Sequence, residues 1–187
     1  MGQISRKEAR DMLFGLLFET EFKKDDEKLG IYELSCENRD IPDNIYIKSC
    51  FFGICENTEL LDFIIGKYAK GWKADRLSKV SRTVIRLAVY EMLFVKDIHS
   101  NISVSEAVEL SKKYGEEKAR AFVNGVLSSI DKDIVKVGVE SFVASAKREL
   151  EVLNKEGEQK EKTNENESEA QFSEKKISRE KGGATEN

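Results

Sequence analysis

The segment from Ser78 to Val95, SKVSRTVIRLAVYEMLFV, most constrains what this chain can fold into. It starts with a serine suited to an N-cap and contains neither glycine nor proline, which predicts a helix of about four to five turns. Apolar side chains cover most of its circumference, as in a core helix surrounded by other helices. One narrow edge carries the remaining side chains: Lys79, Arg82, Arg86 and Tyr90.

One carboxylate interrupts the apolar arc of this helix. Glu91 falls between Val84 and Leu87 on the helical wheel. An unpaired charge buried there would cost several kcal/mol, so we expect Glu91 to have a partner in the core. We predict that its carboxylate accepts hydrogen bonds from backbone N–H groups at the start of a neighbouring helix, near Ser103.

Composition and periodicity together predict an all-α protein. Of 187 residues, 40% are hydrophobic and 35% are charged, which allows a sizeable core beneath a charged surface. Valine and isoleucine recur at helical spacing and not in alternating runs, and the chain has one proline, Pro42. The net charge of -4 gives no global attraction to nucleic acid, so any nucleic-acid site must be a local patch.

Four helices are predicted before this central segment and two after it. The first four cover about residues 4–22, 25–36, 42–55 and 58–70, with Pro42 at the first position of the third and Gly71 ending the fourth. Ser103 and Glu106 have the spacing of a capping box for the sixth helix, whose core stripe includes Tyr114. Glu116 and Glu117 favour the start of a seventh.

The remainder of the chain divides by composition. Residues 133–154 form a further amphipathic segment, which predicts an additional helix after a domain covering residues 1–132. Residues 155–187 are charged and polar with one aromatic residue. Such a tail cannot bury enough apolar surface to offset its ordering entropy, so we predict that it is disordered.

The sequence contains no recognisable catalytic or metal-binding pattern. It has no P-loop, no GxGxxG, no GxSxG and no catalytic pairing of carboxylates or of cysteine with histidine, which predicts neither an enzyme nor a cofactor. Cys36, Cys50 and Cys55 lack CxxC spacing, which favours reduced thiols, and His99 is interpreted as a surface residue. We find no signal peptide and no apolar run of about 18 residues, which predicts a cytoplasmic protein without membrane contact.

A stripe of basic and then aromatic side chains runs along the first helix. Arg6, Arg10, Phe14 and Phe18 follow one another at four-residue spacing, and Lys7 lies beside them. Cations at a helix N-terminus oppose the helix dipole, so helix stability does not explain them. Two interpretations remain open at this point: a basic and aromatic surface for RNA, or solvated charges next to core rings.

Four sequence segments resemble a known family. The central RTVIRLAVYEML, then SVSEAVELSKKYG and ARAFVNGVL, and the SRKEAR start of the first helix are similar to the NusB family of bacterial transcription antitermination factors, over about residues 3–132. The resemblance implies a compact bundle of about seven helices in two small subdomains. It also implies binding to the boxA element of ribosomal RNA leaders together with NusE, a small-subunit ribosomal protein. The implied complex acts with other Nus factors on elongating RNA polymerase and supports ribosomal RNA synthesis and maturation.

The resemblance also implies a set of site residues on two helix edges. Basic residues of the first helix stand where the family has an arginine-rich motif, and two phenylalanines match aromatic positions. The RNA-binding residues predicted in this way are Arg6, Lys7, Arg10, Phe18, Lys118 and Phe122. Arg82 and Arg86, on the edge of the central helix, are candidates for binding a protein partner, with simple solvation as the alternative.

Two other functions were compared with RNA-binding antitermination. A scaffold that binds the ribosomal protein without touching RNA stays open as an alternative. NusB-like domains also occur fused to ribosomal RNA cytosine methyltransferases, but no methyl-donor motif follows residue 132. The residues do not decide between a monomer and a homodimer.

Overall fold

A computed structural model describes residues 4–23, 28–69, 77–157 and 159 of the chain. Within these residues the secondary structure is helical and contains no strand, which confirms the all-α class. The helices are α1 (Arg6–Thr20), α2 (Lys28–Asn38), α3 (Ile45–Glu56), α4 (Thr58–Tyr68), α5 (Lys79–Phe94), α6 (Ser100–Tyr114), α7 (Glu117–Val137) and α8 (139–157).

Helix α5 lies at the centre of the packing, as the sequence predicts. It contacts α1, α3, α4, α6 and α7, and its apolar residues between Val84 and Leu93 are buried. Ser78 caps it by accepting a hydrogen bond from the Ser81 N–H at 3.1 Å. Since the capping residue and the last turn both match the prediction, the long apolar segment defined this helix well.

The contact between α3 and α5 is close because of one glycine. A Cβ atom added at Gly53 would lie 1.9 Å from the Tyr90 hydroxyl oxygen. Any side chain at position 53 would therefore displace the Tyr90 ring from its place against α3. Tyr90 is half-buried, so this end of the predicted polar edge is part of a helix interface.

Two predicted helix starts are wrong. Helix α3 begins at Ile45, three residues after Pro42, because the Asn44 side chain caps it by accepting from the Ile47 N–H at 3.1 Å. Helix α6 begins at Ser100, with the His99 carbonyl accepting the Ser103 N–H at 3.3 Å. Ser103 is thus inside the first turn and buried, and cannot serve as an N-cap.

Helix α7 extends beyond the predicted domain limit at residue 132. It ends at Val137, where Gly138 adopts a φ of 81°, the left-handed conformation that glycine accepts without strain. Residues 133–137 therefore belong to α7, and the additional helix starts at 139. It continues to 157, so the first residues of the predicted disordered tail are helical.

The chain divides into two compact units, residues 1–146 and 147–187. The first contains α1 to α7 and the beginning of α8, including the buried Phe142 and Ala146. In the second, the described part of α8 is mostly exposed, including Val152 and Leu153. Residue 158 and residues 160–187 of the predicted tail lie outside the described residues, as do the predicted helix limits at Asp25 and Gly71.

The three cysteines and the one histidine lie within the described residues. Cys36, Cys50 and Cys55 form no disulfide with one another there, and burial raises the pKa of Cys50 to about 12. His99 is exposed at the start of α6. Over the described part of the chain, no three His, Cys, Asp or Glu side chains could hold a metal ion together. None of the described helices is long and apolar enough to cross a membrane.

Candidate nucleic-acid interface

The N-terminus of α1 is held by a capping box. Ser5 donates its backbone N–H to Glu8 Oε2 at 2.8 Å, and the Glu8 N–H donates to Ser5 Oγ at 3.2 Å. The Ser5 hydroxyl and N–H hold the pKa of Glu8 below its usual value. The carboxylate lies in the first turn, where it offsets the unfavourable placement of Arg6 and Lys7 against the helix dipole.

Arg6 and Lys7 are the two exposed cations of this first turn. The Arg6 side chain is 43% exposed, and its Nη2 atom lies 3.6 Å from Asp97 Oδ2. Its guanidinium carbon also lies 4.5 Å from the centroid of the Tyr46 ring, a cation–π contact. Lys7 is exposed at the rim of a cleft of about 350 Å³ between α1 and α6. Both predicted RNA-binding residues are thus accessible to a ligand.

Arg10 is buried, unlike Arg6 one turn earlier. It is only 3% exposed, and its Nε atom donates to Glu91 Oε1 at 2.8 Å. Its Nη1 atom lies 3.7 Å from Glu106 Oε2. A direct phosphate contact by Arg10 is inconsistent with this geometry, because the guanidinium would have to leave the core and abandon a buried carboxylate.

Glu91 has the buried partner that its position requires, but the predicted partner is wrong. Its Oε1 atom accepts hydrogen bonds from Arg10 Nε and from the Tyr46 hydroxyl, not from backbone N–H groups near Ser103. The cause is the earlier start of α6, which directs its free N–H groups elsewhere. Within the described part of the chain, Glu91 Oε2 and Ser103 Oγ have no hydrogen-bond partner.

An aromatic row continues along α1 from these cations. Phe14 is buried and stacks on Phe18 with ring centroids 5.8 Å apart, and Phe18 meets Phe22 edge-on at 5.2 Å. Phe18 is half-buried and Phe22 is 60% exposed, so the row rises from the core to the surface. At its exposed end, the Lys79 ammonium lies 3.6 Å from the Phe22 ring centroid.

Tyr114 and Lys113 extend this surface onto α6, and the sequence analysis missed both. The Tyr114 ring stacks on Phe14 with centroids 4.5 Å apart, yet it is 40% exposed and does not belong to the core stripe. Its hydroxyl donates to Asp11 Oδ1 at 3.0 Å, and Lys113 Nζ donates to the same carboxylate at 2.8 Å. The KKYG sequence before a helix end was the available signal, since a tyrosine that ends a basic turn often lies at a rim.

Lys118 and Phe122 lie on one face of the first turns of α7. They are four residues apart, so they are neighbours along the helix surface, Lys118 exposed and Phe122 half-buried. The turn between α6 and α7 is tight: a Cβ atom at Gly115 would lie 2.8 Å from the Ser111 carbonyl oxygen. Helices α6 and α7 pack together, so the helix that carries this pair lies against the helix that carries Tyr114.

Arg82 and Arg86, the candidates for binding a protein partner, form an internal ion network. Both donate to Glu21, Arg82 Nη2 to Oε2 and Arg86 Nη1 to Oε1, each at 2.5 Å. Arg86 also donates two hydrogen bonds of 2.6 Å to the Asp62 carboxylate, from Nε to Oδ1 and from Nη2 to Oδ2. The Arg86 side chain is 14% exposed and that of Glu21 is 4% exposed, so these guanidinium groups join α5 to the C-cap of α1 and, at Asp62, to the middle of α4. Plain solvation therefore does not describe them, and their role in binding a protein partner stays a prediction.

A family model described as the NusB family matches residues 3–132 of this chain. The chain belongs to the NusB family. The matched range is the one over which the sequence motifs resemble NusB proteins, and it contains every predicted site residue.

Curated relatives carry the same family name. A transcription antitermination protein NusB from Ruminiclostridium cellulolyticum is 43% identical over 130 residues, which cover 69% of this chain and 90% of that protein. The transcription antitermination protein NusB of Bacillus subtilis (strain 168) is 37% identical over 131 residues, which cover 70% of this chain and 98% of that protein. The NusB family is thus one of transcription antitermination factors.

Solved NusB structures share the fold. The structure of T. maritima NusB matches with a TM-score of 0.61 and 37% identity, covering 70% of this chain and 93% of that one. A crystal structure of the antitermination factors NusB and NusE in complex with double-stranded RNA matches with a TM-score of 0.60 and 33% identity, covering 68% of this chain and 96% of that one.

Proposed function

We propose that this protein is a transcription antitermination factor that binds a boxA-type RNA together with the ribosomal protein NusE. The observation that carries the proposal is the surface of α1, where the exposed cations Arg6 and Lys7 precede a row of partly exposed aromatic rings. We further propose that the complex acts on elongating RNA polymerase with other Nus factors and supports ribosomal RNA transcription and maturation.

The chemistry of this surface suits unpaired RNA. Cationic side chains engage phosphates, and aromatic faces stack on splayed bases, each stacked base contributing about 1–3 kcal/mol. Phe18 and Phe122 are half-buried. Each can therefore present part of its ring to RNA while the rest of the side chain stays packed in the protein. Lys118 adds a cation beside Phe122.

The same surface is too weakly charged to account for tight binding alone. Arg10 is buried and its charge is neutralised by Glu91, which leaves two exposed cations on the first turn of α1. The cleft next to Lys7 is lined by carboxylates as well as cations, and the whole chain has a net charge of -4. We infer that NusE is needed for tight RNA binding; NusE accompanies RNA in the related complex.

A titration tests this proposal. Fluorescence anisotropy of a labelled boxA-type RNA is measured with this protein alone, with NusE alone and with both. We expect the pair to bind more tightly than either protein. Retained binding of NusE with no gain in RNA affinity would support the protein-only scaffold instead.

A charge-matched pair of variants locates the RNA surface. We expect Arg6→Ala with Lys7→Ala to weaken RNA binding and to lower the salt slope of the logarithm of the association constant by about 1.4, that is about 0.7 for each of two phosphate contacts. The control, Lys132→Ala with Lys136→Ala, removes the same charge from exposed positions near the end of α7. Equal losses in both double variants would show a general charge effect and contradict the proposed surface.

A further inference from the structure

Arg6 rests on a tyrosine from another helix. Its guanidinium carbon lies 4.5 Å from the centroid of the Tyr46 ring, while 43% of its side chain is exposed. Tyr46, the second residue of α3, is only 8% exposed. The ring therefore supports one face of the guanidinium group and leaves the remaining surface open to solvent.

The Tyr46 ring is itself fixed from below. Its hydroxyl donates to Glu91 Oε1, the atom that also accepts from Arg10 Nε. The three side chains come from three helices: Tyr46 from α3, Glu91 from α5 and Arg10 from α1. Burial and then the nearby Glu91 charge raise the pKa of Tyr46, so the hydroxyl keeps its proton and remains a donor. A buried, charge-assisted hydrogen bond thus sets the ring orientation.

We propose that Tyr46 is a positioning residue for RNA binding, which holds the Arg6 guanidinium on its ring and is anchored through its hydroxyl to the Glu91–Arg10 pair. The inference rests on the proposed RNA-binding function of the α1 surface. Its physical basis is preorganisation: an arginine held before binding loses less rotamer freedom when a phosphate arrives. A cation–π contact uses the face of the guanidinium group and leaves N–H groups at its edge free for phosphate oxygens.

Asp97 is the competing candidate for holding Arg6. Its carboxylate lies 3.6 Å from Arg6 Nη2, but its side chain is 77% exposed. An ion pair this open to water is weak and screened by salt. It also occupies the N–H edge that a phosphate would use. We therefore expect Asp97→Asn to preserve or strengthen RNA binding.

A double-mutant cycle between Arg6 and Tyr46 tests the proposal. We expect Tyr46→Leu to weaken boxA-type RNA binding in the presence of NusE by roughly two- to fivefold, the cost of fixing one long, otherwise mobile side chain when the RNA binds. In the Arg6→Ala background the same change should have less than a twofold effect. Tyr46→Phe keeps the ring but removes its anchor, so its effect should be smaller than that of Tyr46→Leu and should also disappear in the Arg6→Ala background. Equal losses from Tyr46→Leu in both backgrounds would show a purely structural role and overturn the proposal.

The remaining outcomes separate the two proposals. If Arg6→Ala alone leaves RNA binding unchanged, the RNA surface is misplaced and the positioning role fails with it. If Arg6→Ala weakens binding but Tyr46→Leu does not, only the positioning role is overturned. An Asp97→Asn loss as large as that of Tyr46→Leu would show that Asp97 holds Arg6, which also contradicts the proposal.

A measurement on the wild-type protein covers the case in which Tyr46→Leu does not fold. The protons of the Arg6 side chain should show upfield NMR shifts from the Tyr46 ring, in the free protein and in the complex with RNA and NusE. Persistence of these shifts in the complex supports the positioning role. Their loss on RNA binding would show that Arg6 leaves the ring, and would overturn it.

Discussion

The two ends of α1 are attached to the rest of the fold by ion clusters of different kinds. Near the N-terminal end, one oxygen of the buried Glu91 carboxylate accepts hydrogen bonds from both an arginine and a tyrosine. Beyond the C-terminal end, the Glu21 carboxylate accepts hydrogen bonds from Arg82 and Arg86, and Arg86 also donates to Asp62 near the surface. The first cluster is closed to water, and the second is partly open. Burial, and not the number of ion pairs, should therefore decide which cluster matters more for stability.

Glu91→Gln should have the largest effect. It leaves the buried Arg10 charge with only the more distant and partly exposed Glu106 carboxylate, for which we expect a loss of about 3–5 kcal/mol in the free energy of unfolding, measured by urea denaturation. Arg10→Met combined with Glu91→Leu removes both charges and should recover much of this loss. If the free energy of unfolding of Glu91→Gln lay within about 1 kcal/mol of wild type, the first cluster could not be shielded from water as described.

Glu21→Gln should destabilise less. Arg82 and Arg86 lose charge-assisted hydrogen bonds, but Arg86 keeps Asp62 and both can reach water, so we expect a loss of about 1.5–3 kcal/mol. Chemical denaturation of Arg39→Ala provides the comparison, because its pair with Glu19 is largely exposed and should contribute less than about 1 kcal/mol. A Glu21→Gln loss equal to that of Glu91→Gln would remove the difference between the two ends.

Tyr46→Phe should remove one of the two hydrogen bonds to the buried carboxylate. The expected loss is about 1–2 kcal/mol, because Arg10 remains in place and the ring still fills its site. Thermal and urea unfolding measure it, with circular dichroism as a check on helix content. No change in stability would indicate that the hydroxyl does not anchor the ring.

Ser5→Ala should have the smallest effect on stability. It provides the solvent-exposed case with which the two ion clusters are compared. Glu8 is fully exposed, and the Ser5 hydroxyl is the first cause of its lowered pKa. Because the pKa in the folded state lies below that in the unfolded state, this contribution to stability is present near neutral pH and is lost as pH falls through the folded-state pKa. We expect the variant's Glu8 pKa to rise toward its usual value in an NMR titration, and an unchanged pKa would contradict the capping geometry.

The two ends of α1 also differ in how much of their structure could be predicted from the sequence. Helix α5 was predicted with its cap and its odd carboxylate because an 18-residue apolar pattern contains enough local information. The partner of Glu91 was not predictable, since Arg10 and Tyr46 come from other helices. The four-residue stripe of α1 predicted the same RNA-binding role for Arg6 and Arg10. Arg10 is buried and Arg6 is exposed because α3 and α5 pack against α1, which the stripe does not show.

The capping boxes illustrate the same limit at short range. Ser5 with Glu8 and Ser103 with Glu106 have the same spacing, but only the first pair forms a box. The second was misassigned because the N-cap of α6 lies four residues earlier, at His99, whose side chain makes no capping hydrogen bond. Likewise, Arg82 and Arg86 were interpreted as free edge residues because the sequence does not show that Glu21 and Asp62 face them.

The shared acceptor on Glu91 has a consequence for how the fold opens. Arg10 and Tyr46 anchor α1 and α3 to the same oxygen atom of α5. If the start of α1 opened alone, the Glu91 charge would stay in the core without its cation, so such partial opening is costly. We therefore expect the first turns of α1 and the start of α3 to exchange with solvent as one cooperative unit, which would place Arg6, the residue proposed to bind RNA, on one of the less easily unfolded parts of the molecule.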